Sequence, residues 1–161
     1  MNKALICSLL ILILPPGIAA PLDEITFDTI SISADEANED ELPGILHFDG
    51  NFLMQSSDWQ LASSKATVYG NPNKPDRVYL EGSPALFLVH RTGDVTQGPV
   101  EASASVVEYQ RTANTLTLSG GAILRLDGEV IRSTIIEYDI GTRRYRAGGI
   151  DGVLIEVPPV D

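Results

Sequence analysis

Leu46-His47-Phe48-Asp49-Gly50-Asn51-Phe52-Leu53-Met54 is the stretch whose reading decides the fold class. Its even positions are Leu, Phe, Gly, Phe and Met; its odd positions are His, Asp, Asn and Leu. A period of two puts one greasy and one largely wet face on an extended chain, whereas a helix needs a period of about 3.6. The same alternation recurs further on. In Thr115 to Ser119, Leu116 and Leu118 face one way and the hydroxyl residues the other, and Ile136 shares a face with Tyr138, opposite Glu137. Turn chemistry separates these runs at Asn71 to Asp76, Thr92-Gly93-Asp94, Asp127-Gly128, Ile140-Gly141 and Asp151-Gly152. The 14 glycines and 10 prolines punctuate short apolar runs, which favours many short strands over long helices. The chain is expected to be all-β.

A weak internal repeat runs through it. Lys65 to Tyr69, Ser105 to Tyr109 and Thr134 to Tyr138 are small-residue strands ending in an aromatic. Each is followed by a second strand closed by a glycine, at Gly82, Gly120 and Gly148. Ser33 to Gly50 reads as a degenerate first copy, with Ala37 where the tyrosine should stand. Each unit is then two strands and two turns.

Composition narrows the function. The chain has 161 residues, 22 acids against 11 bases and a net charge of −11, which argues against unassisted nucleic-acid binding. Met1 to Lys3 form a positive n-region; Ala4 to Leu14 are apolar except Ser8; Pro15-Pro16-Gly17 and Ile18-Ala19-Ala20 follow. As a helix the apolar run would rise only ~16 Å, short of the ~30 Å hydrocarbon core. Residues 1–19 are expected to be a signal peptide, cleaved after Ala19 or Ala20, with one domain over 20–161 and an ordered core at about 28–157. An uncleaved N-terminal anchor is the alternative. The sole cysteine, Cys7, would be lost with the peptide, leaving no disulfide framework and no cysteine-based zinc site.

The sequence gives no positive sign of catalysis. There is no Gly-x-Ser-x-Gly elbow and no phosphate-binding loop, and His47 and His90 sit in no motif. Both histidines are expected at the surface. The acidic run Asp35, Glu36, Glu39, Asp40, Glu41 lacks the ligand spacing of a calcium loop and is expected to be a solvated turn. Asp127 and Glu129 are expected to be solvated at a turn, and Gly120-Gly121 and Gly148-Gly149 to be turn glycines or bulges. Arg143, Arg144 and Arg146 form the basic cluster, either a solvated strand end or a contact for phosphate or an acidic partner. No metal, no cofactor and no enzyme activity are expected.

Six segments, in order, carry a family resemblance: Ile30 to Asp35, Phe48 to Phe52, Gly82 to Phe87, Gly98 to Ala104 leading to Tyr109, Leu116 to Ala122, and Thr134 to Tyr138. Over residues 28–157 the chain resembles the OstA-like family of periplasmic lipopolysaccharide-transport proteins, most closely its soluble bridge component. It departs from that pattern in its denser acidic segment near Glu39 and in lacking a long polar tail after Val157. The resemblance implies a twisted, jelly-roll-like shell of two antiparallel sheets, open along one side, with an apolar interior. It implies that the shell holds lipopolysaccharide acyl chains in the periplasm of a Gram-negative bacterium. It further implies head-to-tail stacking, edge strand to edge strand, with copies of itself and with inner-membrane and outer-membrane members of the machinery. A membrane-anchored relative with the same fold, or a closed β-domain without ligand, are the alternatives.

Matching family positions put Ile30, Ile32, Phe87 and Tyr109 on the interior lining. Extension by period two adds Phe48, Phe52, Met54, Val107 and Leu116, then Leu118, Leu124, Ile136 and Tyr138.

Overall fold

The computed structural model describes residues 29–90 and 98–159. The expected signal segment, Arg91 and the Thr92-Gly93-Asp94 turn lie outside the described residues. The strands are β1 (Ser31–Ser33), β2 (Glu36–Glu39), β3 (Ile45–Gln55), β4 (Trp59–Asn71), β5 (Lys74–Val89), β6 (Val100–Gln110), β7 (Thr115–Leu126), β8 (Glu129–Asp139) and β9 (Arg144–Glu156). All pair antiparallel in one sheet, ordered β1-β3-β4-β5-β6-β7-β8-β9, with β2 also on the β3 edge. Among the described residues the sheet does not close: β1 and β2 pair only with β3, and β9 only with β8.

From β3 onward, every ladder slips in its middle. The shifts fall between Asp49 and Phe52, Ala62 and Lys65, Glu81 and Ala85, Ser103 and Val106, Ser119 and Ala122, and Ser133 and Ile135. Small or turn-forming residues fill the gaps: Gly50-Asn51, Ser63-Ser64, Gly82-Ser83-Pro84, Gly120-Gly121. Gly120 has φ +80°, open to glycine at little cost, and a Cβ there would lie 3.0 Å from Ser105. A bulge bends its strand, and bulges aligned across neighbouring strands crease the sheet. The crease divides it into two leaves. The upper leaf carries β1 and residues 52–62, 85–89, 100–103, 122–133 and 153–156; the lower leaf carries β2 and residues 45–49, 65–81, 106–119 and 135–148.

No helix covers the sheet among the described residues, yet Met54, Val68, Val78, Leu116, Leu124 and Ile136 are 0% exposed. Only the opposite leaf can cover them. Both leaves feed one apolar core, and the Phe48 and Phe52 rings meet across the crease with centroids 5.1 Å apart. The two expected sheets are therefore the two leaves of one folded ladder.

Several local expectations are corrected. Gly82, Gly120 and Gly148 close no strand; each lies inside a strand that continues across the crease. The strands are correspondingly long rather than short. Asp151-Gly152 is no turn but part of the broad bulge of β9, held by Thr134 Oγ1 donating to Asp151 Oδ2 at 2.9 Å. Glu36–Glu39 is an exposed edge strand rather than a turn, because its backbone pairs with 46–49 of β3. The repeat survives as the lower-leaf hairpins β4–β5, β6–β7 and β8–β9, but its aromatics are not equivalent. Tyr109 and Tyr138 turn to the core, while Tyr69 turns outward, 4.9 Å from the Arg77 guanidinium, and Val68 takes the core position.

Candidate functional site: the interior and its seam

All the expected lining positions lie on the single core. Phe48, Phe52, Met54, Phe87, Val107, Leu116, Leu118, Leu124, Ile136 and Tyr138 are buried; Ile30, Ile32 and Tyr109 are partly buried and packed against them. Leu61, Val78, Leu80, Ala102, Ala104 and Ile131 share the core but escaped the sequence argument. Among the described residues the Tyr138 phenol is the sole titratable group of the buried core, and no other polar or charged side chain is buried. Such an interior offers no poised acid, base or nucleophile; what it can do is hold apolar matter.

The interior is not filled everywhere. Opposite the crease the leaf tips meet along a seam, and there a cleft of about 220 Å³ opens. Trp59, Leu61, Phe87 and Val89 line it from the upper leaf; Pro75, Val78, Tyr109, Arg111, Asn114 and Ile140 line it from the lower. Leu61, Val78 and Phe87 belong to the buried core as well, so the cleft is continuous with it. Of the expected lining positions, Phe87 and Tyr109 are the two that reach this opening. Trp59, which begins its strand at the mouth two residues before Leu61, also escaped the sequence argument.

The rim is polar and well tied. Arg111 pairs with Asp76, and its Nε donates to the Pro75 carbonyl at 3.1 Å. Burial pushes the Tyr109 phenol above its ordinary value, with the Arg111 charge working the other way. Further along the seam, Arg143 Nη2 donates to Asp127 Oδ1 at 2.7 Å, and the same carboxylate oxygen accepts from the Gly98 N–H at 3.1 Å. Asp127 is therefore not the merely solvated turn carboxylate expected. The basic cluster divides among acids: Arg143 goes to Asp127, and Arg146 reaches Glu137 at 3.8 Å.

Both histidines lie outside the core. His47 is exposed on the outer face, with Nε2 2.9 Å from Asp40 Oδ2 and Nδ1 3.2 Å from Thr67 Oγ1. That pairing holds the Asp40 carboxyl below its usual range. His90 follows β5, its N–H bound to the Asp58 carbonyl at 2.7 Å. The described residues contain no cluster of His, Cys, Asp or Glu able to hold a metal.

The family model of the LptA/(LptD N-terminal domain) LPS transport proteins matches residues 31–144. The chain belongs to this family. The match runs from the first residue of β1 to the first of β9, so the LPS transport family's pattern takes in both leaves, the crease and the cleft. Among solved structures, the chain is similar to LptH, the LptA homologous periplasmic component of the conserved lipopolysaccharide transport device from Pseudomonas aeruginosa. The two superpose with a TM-score of 0.71 at 20% identity, covering 82% of this chain and 96% of that one. At that identity the likeness speaks to the fold, the β-jellyroll of LptA-like LPS transport proteins. No curated protein matches the chain by sequence.

Proposed function

We propose that this chain is a periplasmic lipopolysaccharide-binding bridge. It takes lipopolysaccharide from an inner-membrane export complex and passes it towards an outer-membrane assembly complex, with the acyl chains in the shell and the sugars in water. The observation that carries this reading is the seam cleft, lined by Trp59, Phe87 and Tyr109 and continuous with the core. Burying a chain of ~12 carbons is worth on the order of 10 kcal/mol at ~0.8 kcal/mol per methylene. Transfer between two similar linings is nearly neutral, so an unpowered protein can pass the chain on while direction comes from elsewhere.

The sheet ends support stacking with further copies or with partners of the same fold. Ile155 pairs with the fully buried Ile131 yet is 47% exposed, because among the described residues no strand lies beyond β9 to cover it. Leu154 and Val157 are exposed beside it. An open, apolar edge is a template for another strand, and pairing unlike edges gives open head-to-tail chains.

Export by a cleaved signal peptide belongs to the same proposal. Intact mass tests it: loss of residues 1–19 or 1–20 supports the bridge, and retention supports the anchored relative. A ligand-free β-domain has one observation in its favour, the burial of most of the inner face of β3 to β8 away from the cleft. Photo-crosslinking from the cleft separates these readings. Probes replacing Phe87 or Tyr109 are expected to capture lipopolysaccharide, and one replacing His47 on the outer face is not. Equal capture at all three positions would defeat the assignment.

A further inference from the structure

Among the described residues, Arg143–Asp127 is the ion pair that joins the two leaves. The others tie neighbours within one leaf: Lys65 to Asp49, Arg77 to Glu108, Arg111 to Asp76, Arg132 to Glu156. Asp127 lies in the β7–β8 turn at the tip of the upper leaf, and Arg143 in the β8–β9 turn at the tip of the lower. Both hold left-handed backbone, φ +51° and +56°, which fixes each side chain on a tight turn facing the seam. The Gly98 N–H donates to the same carboxylate, and the Gly98 carbonyl lies 3.4 Å from Arg143 Nη2. Three chain segments from two leaves thus meet at one guanidinium.

We propose that the Arg143–Asp127 pair is a latch across the seam, which holds the leaves together beside the cleft and must release for them to part. The geometry suits it. Ile140 lines the cleft and begins the turn that ends in Arg143, so the latch stands at the cleft's boundary. The Arg143 side chain is 22% exposed against 88% for Arg146, while Asp127 is 51% exposed, so the pair is shielded from solvent on its cationic side. The buried Tyr138 lies within electrostatic reach of both partners: Asp127 works with burial to raise its phenol and Arg143 works against it. Release would uncover this end of the core and lengthen the cleft towards β9. The latch as a mechanical device stands on the contacts alone; its use in loading cargo rests on the proposed carriage of acyl chains.

The test separates the two. Arg143→Gln keeps a polar side chain but is shorter and uncharged, so both the charge and the reach to Asp127 are lost; Asp127→Asn keeps an acceptor for Gly98 and removes the charge facing Arg143. Circular dichroism establishes which of the two is folded. Two readouts follow on the purified chain. The first is backbone hydrogen exchange without ligand at Gly98 and residues 140–143, compared with the crease at Gly82 and Ser83. The second is stopped-flow quenching of Trp59, the chain's sole tryptophan, by a nitroxide-labelled stearic acid. Loss of one partly shielded, charge-assisted contact is expected to speed seam exchange and acyl-chain entry about tenfold, with the crease unchanged. Unchanged seam exchange in a folded variant would overturn the latch. Faster exchange with no Trp59 quenching in any protein would uphold the latch and count against acyl-chain carriage. Quenching at an unchanged rate despite faster exchange would overturn its role as the gate for cargo.

Discussion

Val78 and Phe87 lie on one strand, β5, yet line opposite walls of the same cleft. Between them, Gly82-Ser83-Pro84 slips the ladder against β6 and turns the strand back over itself. The site therefore depends on the crease, and the crease can be tested apart from any ligand. A Cβ at Gly82 would meet the Pro84 carbonyl oxygen at 2.9 Å and the Ala85 nitrogen at 3.0 Å, both backbone atoms with little room to move. Gly82→Ala is expected to cost about 1–3 kcal/mol, as overpacking does elsewhere. Urea denaturation measures it; a stability equal to the parent's would show that the crease tolerates a side chain there.

The interior also predicts an alkaline limit. Tyr138 is 1% exposed, and burial raises its phenol above the ordinary 10.0. A folded-state value above the unfolded one means the contribution is whole below the unfolded value. It is lost as pH climbs through the folded one, because the unfolded chain gives up its proton first. Stability should therefore fall above about pH 10. The fall should be shallower in Tyr138→Phe, and shallower still when Tyr109→Phe is added, since burial raises Tyr109 in the same direction. Denaturation midpoints across that range check the sign; parallel profiles for parent and variants would remove these two residues as the cause.

How much of this was legible in the sequence depends on the crease. In β3 and β7 the bulge preserves the phase of the alternation, so Phe48 and Phe52, or Leu118 and Leu124, share the inner face as period two expects. In β4, β5, β6 and β8 the phase flips at the crease. Leu61 precedes Ala66, Leu80 precedes Ala85, Ala104 precedes Val107 and Ile131 precedes Ile136 on the buried face. An uninterrupted alternation cannot follow such a flip, which is why Leu61, Leu80, Ala104 and Ile131 were missed although Val107 and Ile136, on the other side of the crease, were reached. Phe87 was reached through the family resemblance instead. The seam was illegible for a different reason: Trp59 faces Tyr109 across the cleft, and Asp127 meets Arg143, only because the leaves fold over, and Arg143 reads in sequence as one of a basic cluster.

Stacking at the edge gives a further expectation. Ile155 lies in the last strand, whose outer side pairs with nothing among the described residues. Ile155→Pro removes a ladder donor from that strand. Where the N–H faces the partner, the chain is expected to shift towards monomer while circular dichroism shows it folded. Sedimentation over a concentration series reads the shift; unchanged oligomers in the folded variant would mean this edge is not the interface.

The most direct test of the central claim is native mass spectrometry of the chain purified from a host with an outer membrane, before and after incubation with purified lipopolysaccharide. Carriage of acyl chains in the interior predicts a lipopolysaccharide-bound species that survives desolvation and weakens when Phe87 and Tyr109 are both replaced by aspartate in a folded protein. A chain that stays free of lipopolysaccharide under both conditions would contradict it.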